Sequence, residues 1–234
     1  MRPGSDDPAP NLSSTPGDRR RTSLGRVGAF LERFPLFPLG LVLLPGEVVP
    51  LHIFEERYKL MIGECLERQS EFGIVWLSDD ELKDTGCAAR VTQLLERMDD
   101  GRMNVLVQGT RPFLLQRRID DLPYPAGDIE LLDELDDGDP GDAGGEARSR
   151  YADLVERVTD SRPSEDDLAE LDAYGMAATL DFDLEAKQVL LELRSERGRL
   201  ERLAELFEAT FERLEHAERA AERARGNGRV RFDR

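Results

Sequence analysis

The stretch from residue 34 to residue 53 constrains this chain most. Pro35, Pro38, Pro45 and Pro50 interrupt a run otherwise built from Leu36, Phe37, Leu39, Leu41, Val42, Leu43, Leu44, Val48, Val49, Leu51 and Ile53. So apolar a segment has to be buried, yet proline has no amide proton to give a β ladder and is held to edges, bulges and strand starts. The combination excludes one long central strand and predicts short, bent strands of the kind that build a small barrel.

From Phe54 the apolar period changes. Phe54, Tyr58, Met61, Ile62, Cys65 and Leu66 recur at helical spacing, with Glu55, Glu56, Lys59, Glu64, Glu67 and Arg68 on the opposite side, so one amphipathic helix is expected to about residue 70. Residues 72–77 read as a buried strand and 78–85 as an acidic loop. Residues 87–95 and 103–107 flank Asp99, Asp100, Gly101 and Arg102, where Asp-Gly supplies the positive φ that a hairpin turn needs. Two further strands, 113–119 and 126–132, complete a β-rich unit over 29–132. An acidic linker over 133–149 follows.

The remainder is helical in pattern. Tyr151, Leu154, Val155 and Val158 share a face, Ser164 with Asp167 forms a capping box ahead of Leu168, Leu171 and Tyr174, and Asp183 caps a third helix. Leu200, Leu203, Phe207, Phe211 and Leu214 lay one apolar stripe on a last helix reaching about residue 225, stopped by Gly226, Asn227 and Gly228. An all-α bundle over 150–225 is expected, and the class is α+β. Residues 1–28, with Arg19, Arg20 and Arg21, read as a disordered tail, and 226–234 as a second tail.

The formal charge of −17 sets a field repulsive to nucleic acid and anionic lipid. Cys65 and Cys87 lack a CxxC partner and read as buried apolar residues of a reducing, cytoplasmic compartment. No membrane span is expected.

Three blocks carry a family resemblance: residues 34–39 (FPLFPL) with Leu43, Leu44, Pro45, Gly46, residues 50–55 (PLHIFE), Arg57 and Tyr58; residues 85–91 with Asp100, Gly101, Arg102, residues 104–107, Gly109, Arg111 and Phe113; and, more loosely, residues 187–192 and 199–203. Together these resemble the Lon protease N-terminal substrate-binding domain family, over roughly residues 30–214. The resemblance implies a PUA-like β pseudo-barrel with one inserted helix, then a helical bundle, and a role in recognising unfolded proteins or peptides for a protease or ATPase in trans. Full-length Lon carries an ATPase phosphate loop, GxxxxGK[ST], and none occurs here. A stand-alone binding protein without catalytic residues, cofactor or metal is the expectation; a PUA-like RNA-binding module is the alternative.

Candidate chemistry is sparse. His52 and His216 are the only histidines, and His52 near Glu55 is expected to close a strand rather than bind metal. Arg57 and Arg111 could receive a carboxylate bidentately or pair with a neighbouring Glu. The acidic run from Asp133 through Glu134, Asp136, Asp137 and Asp139 to Asp142 lacks calcium-loop spacing. Leu41, Val42, Val48 and Val49 are candidates for a groove that takes an extended peptide, or for core.

Overall fold

The computed structural model describes residues 28–79, 81–138 and 140–227. The expected N-terminal tail, with its three arginines, falls outside the described residues except for Gly28, as does the end of the expected C-terminal tail. The elements run β1 (Phe30–Leu39), β2 (Val48–Ile53), α1 (Glu56–Arg68), β3 (Phe72–Ser78), β4 (Glu81–Arg97), β5 (Met103–Ile119), β6 (Ala126–Leu131), α2 (Asp142–Thr159), α3 (Glu165–Glu170), α4 (Ala173–Ala178), α5 (Leu184–Glu192) and α6 (Glu196–Asn227).

β1 pairs parallel with β3 and antiparallel with β6, and β6 also pairs with β5, which pairs with β4, which pairs with β3. Five strands thereby close into a ring, and β2 is added outside it along the first half of β5. This is the expected pseudo-barrel; closure gives every ring strand a neighbour on both sides, whereas β2, bonded to β5 alone, keeps a free edge among the described residues. Every ring strand contributes to one interior cluster, made by Phe34 and Leu36, Val75, Ala88, Phe113 and Leu115, and Ile129 and Leu131.

The prolines act as expected, with one difference: residues 30–39 form a single strand bent at a bulge. The pairing of β1 with β6 shifts register between Leu31 and Phe34, and Arg33 takes φ 56°. Its amide, pulled out of the ladder, donates to the Asp128 carboxylate at 3.0 Å. Arg117 donates to the same carboxylate at 2.9 and 2.6 Å, tying β5 to the bulge.

Two β segments are longer than the pattern predicts. Residues 81–85 are strand rather than acidic loop, because Leu77 faces Leu82 and Ser78 faces Glu81 across a tight hairpin. Residues 103–107 and 113–119 belong to one continuous strand, β5. At its middle Gly109 lets the loop after β1 cross: a Cβ there would lie 2.2 Å from the Leu44 carbonyl oxygen. The hairpin between β4 and β5 turns where the sequence places it, with Gly101 at φ 83°.

In the helical half, Ser164, Asp172 and Asp183 each accept a backbone N–H three residues on, at 3.1, 2.7 and 2.7 Å. The helix expected through Leu168, Leu171 and Tyr174 is two, because Leu171 turns extended and Asp172 caps afresh. α2 starts at Asp142, inside the stretch expected as linker, since Gly144 and Ala147 are buried on its inner face. Val158, assigned to that face, is 64% exposed. α6 packs along α2 and buries Leu200, Leu203 and Phe207. Among the described residues no helix is long and apolar enough to cross a membrane.

One core joins the two halves. Phe37, Leu44, Met61, Phe72 and Val105 share a cluster with Tyr151, Tyr174, Leu191, Leu203 and Phe207. Polar clamps cross the same junction. Lys187 on α5 donates to both Glu47 carboxylate oxygens at 2.7 and 2.9 Å, and Glu47 also accepts the Leu44 amide at 2.9 Å. Gln188 reaches the Thr85 carbonyl at 3.2 Å. Arg199 is 3% exposed, lies 4.4 Å over the Tyr174 ring, and bonds Glu134, Glu196 and the Leu193 carbonyl at 2.5, 2.9 and 3.0 Å. Burial pushes the Tyr174 hydroxyl up to about 12.

Replacing Lys187 by Met leaves Glu47 as an unpaired, mostly buried charge and should cost on the order of 3 kcal/mol in urea unfolding. Combining Lys187→Met with Glu47→Gln should recover part of that loss. The Arg117 guanidinium first, then the Arg33 amide, hold the Asp128 carboxyl below its usual range. A depressed folded value means that this stabilisation is present above the unfolded value of about 4. It is lost as pH falls through the folded value. Asp128→Asn should therefore lower Tm at pH 7 and narrow its gap to the parent below pH 4.

Candidate functional site

A cleft of about 570 Å³ opens where the ends of β1 and β3 meet the start of α1. Its floor is Phe37, Ile53 and Tyr58, all buried; the Phe37 and Tyr58 rings lie 4.0 Å apart at their centroids. Pro38, Leu39, Leu77, Leu82 and Pro125 form the walls, with Phe54 beside them. The ring's topology brings these together: β1 and β3 run parallel, setting Leu39 level with Trp76, and the next hairpin sets Leu82 across from Leu77.

Phe54 is 59% exposed and Leu77 40%. Apolar surface left in water costs about 25 cal/mol per Å², so two large side chains held open on a concave face mark it as a place for an apolar ligand. β2 ends just before Phe54, where Glu55 opens α1 without a side-chain cap. The backbone leaving β2 thus holds Phe54 outside the helix face that the 3.6-residue period assigned to it.

The polar groups sit on the rim. Arg57 donates to Glu55 at 2.9 Å and lies 4.6 Å over the Tyr58 ring. Burial, and less so Glu55, raise the Tyr58 hydroxyl above its ordinary value against the pull of Arg57. Tyr58 thus stays a neutral phenol at the cleft floor. His52 donates through Nδ1 to the Asn104 side-chain carbonyl at 2.6 Å, Asn104 in turn donates its amide nitrogen to Glu96 at 3.0 Å, and the His52 ring stacks 5.9 Å from Phe54. Arg118 also lines the rim, and among the described residues its guanidinium has no ion-pair partner.

The other sequence candidates scatter. Arg57 pairs with Glu55, one of the two outcomes expected for it, whereas Arg111 has no ion-pair partner among the described residues and lines a different cavity. His216 is exposed on α6. In the acidic run, Glu134 pairs with Arg199, and Asp136 accepts the Gly138 amide at 3.1 Å. Among the described residues no group of three or more His, Cys, Asp or Glu is placed to hold a metal. Val42 is core, Leu41 and Val49 pack against that core, and Val48 alone of the four proposed groove residues is exposed. Leu77, Leu82, Arg118 and Pro125 escaped the sequence reading. Each comes from a separate segment, and Leu82 lay in a stretch read as loop.

Phe54→Ala should change stability by less than about 1 kcal/mol, because its side chain is largely solvated already. Phe37→Ala, one layer below, should cost about 3 to 5 kcal/mol. Paired urea titrations distinguish ligand-facing from structural aromatics.

Residues 33–209 match the family described as the ATP-dependent protease La (LON) substrate-binding domain. Lon protease 1 of Hydrogenovibrio crunogenus is 26% identical over 208 residues, which cover 79% of this chain and 24% of that protein. The Lon protease of Parabacteroides distasonis is 30% identical over 112 residues, 44% of this chain and 14% of its own. The chain thus spans about a quarter or less of the length of these relatives. A Lon N-terminal domain protein from Xanthomonas campestris, solved as a crystal structure, superposes with TM-score 0.59 at 26% identity, covering 74% of this chain and 97% of that one. The N-terminal domain of a Mycobacterium avium complex Lon protease shares the fold, with TM-score 0.60 at 20% identity over 76% of this chain and 98% of its own.

Proposed function

The chain belongs to the LON substrate-binding domain family, and on that premise we propose that the cleft at Phe54 binds extended, apolar segments of unfolded proteins or peptides. The matched segment corresponds to the substrate-binding part of Lon and not to its protease domain. The module performs no chemistry of its own on what it holds, and its clients pass to a protease or ATPase acting in trans.

The observation that carries this reading is the pairing of exposed Phe54 and Leu77 across an apolar cleft with few polar groups at its edge. Such a lining rewards burial of an apolar side chain from nearly any sequence. The Tyr58 phenol and the Arg118 guanidinium supply donors for the carbonyls of an extended backbone. Low sequence demand with a fixed apolar contact suits a receptor for unfolded chains. RNA binding would instead call for a basic groove with stacking aromatics, and the net charge of −17 opposes it.

Fluorescence anisotropy with a labelled ten-residue peptide alternating Leu and Ser provides the test, alongside a labelled single-stranded RNA. Saturable peptide binding that weakens at least tenfold in Phe54→Ser and Leu77→Ser, about 1.4 kcal/mol, is the expected result. Absence of binding, or binding that ignores both replacements, overturns the reading. RNA affinity that falls steeply with salt would point to the RNA-binding alternative.

A further inference from the structure

A second, smaller cavity of about 260 Å³ lies at the junction of the two halves and shares no residue with the cleft. It is below the roughly 300 to 1,000 Å³ of drug-sized ligand sites, so it suits one residue-sized group. Pro45, Pro112 and Leu191 give it apolar walls.

Two arginines line it with donors to spare. Arg111, on β5, has no hydrogen-bond or ion-pair partner for its guanidinium among the described residues. Arg194, just after α5, gives Nη2 to the Asp133 carbonyl at 2.8 Å, but its Nε is buried with no partner. A buried cationic donor left unsatisfied is costly and calls for a ligand or a reason. Its position is fixed from both sides, because the Arg194 carbonyl also accepts the Leu135 amide at 2.7 Å.

The acids lining the same cavity are mostly committed. Glu134 pairs with buried Arg199, and Asp172 caps α4. Asp133 gives its backbone carbonyl to Arg194, and its carboxylate has no ion-pair partner among the described residues. A carboxylate would satisfy the arginines in the forked geometry that guanidinium groups favour. Asp133 would accept an amide N–H beside that carboxylate, and the apolar walls would take an aliphatic side chain.

We propose that this junction cavity is a binding site for an α-carboxylate carrying an aliphatic side chain and an adjacent amide N–H. The C-terminal residue of a polypeptide has this chemistry, and so does a small N-acylated amino acid. The site is independent of the cleft at Phe54. The carboxylate bonds the guanidinium groups of Arg111 and Arg194 that line the cavity and bridges β5 to the segment after α5.

Isothermal titration of the full chain with three probes tests the proposal: an N-acetylated tetrapeptide ending in leucine, the same peptide as its C-terminal amide, and N-acetyl-leucine. The free acid should bind roughly tenfold or more tightly than the amide, and Arg111→Gln should abolish that preference. Arg111 is exposed and unpaired, so its replacement leaves the fold intact; Arg194→Gln is the second variant, checked by its Tm. A tetrapeptide that outbinds N-acetyl-leucine identifies a polypeptide C-terminus as the ligand, and equal affinity identifies a small acid. Equal binding of acid and amide, or a preference that survives Arg111→Gln, overturns the site. The acid preference should persist in Phe54→Ser, which separates failure of this site from failure of the cleft.

Discussion

Closure of the five-strand ring is the constraint on which the rest of the structure depends. β6 is only six residues long, yet it pairs with β1 on one edge and β5 on the other. That double pairing makes the first and fifth strands of the ring neighbours. Once β1 is held there, its other edge accepts β3 in parallel, and α1 must fill the crossover between them. The apolar cleft sits at the end of this crossover, so its walls come from four chain segments that meet only when the ring is shut.

The bend in β1 shows how local cost is offset by a distant group. Arg33 occupies a left-handed backbone conformation that non-glycine residues rarely adopt. The amide it frees is met by Asp128, which Arg117 also anchors. A carboxylate on β6 thus stabilises a bulge on β1 through a guanidinium on β5, and all three strands are those that close the ring. The junction with the helices follows similar logic. The loop that crosses Gly109 carries Glu47 to Lys187, so one proline-rich segment both lines the barrel and docks the helical half. The continuous core beneath these clamps joins the halves into one packed unit.

Much of the local structure was legible because it rests on short-range chemistry. Ser164 and Asp183 cap helices where their spacing places them, Gly101 turns the hairpin, and the stripe from Leu200 to Phe207 is buried. The misreadings share a cause. Glu81 to Thr85 and the stretch after Asp142 have loop-like composition, but one is held as strand by Leu82 facing Leu77 and the other as helix by burial of Gly144 and Ala147. Cross-strand partners and packing surfaces decided both, and neither is a property of the segment itself. Whether Leu41, Val42, Val48 and Val49 line a groove or belong to the core stays open in the sequence for the same reason: Val42 and Phe54 are both large and apolar, and only their surroundings bury one and expose the other.

The sequence by itself determined the class of fold, the helix caps at Ser164 and Asp183, the hairpin turn and the resemblance to a substrate-binding family, since these depend on period, capping chemistry and motif spacing along the chain. The tertiary structure alone decided which apolar residues stay in water, which arginines are left without partners among the described residues, and where the cleft at Phe54 and the junction cavity open. Those outcomes depend on which distant segments become neighbours, and that is settled by strand pairing and burial across the whole chain.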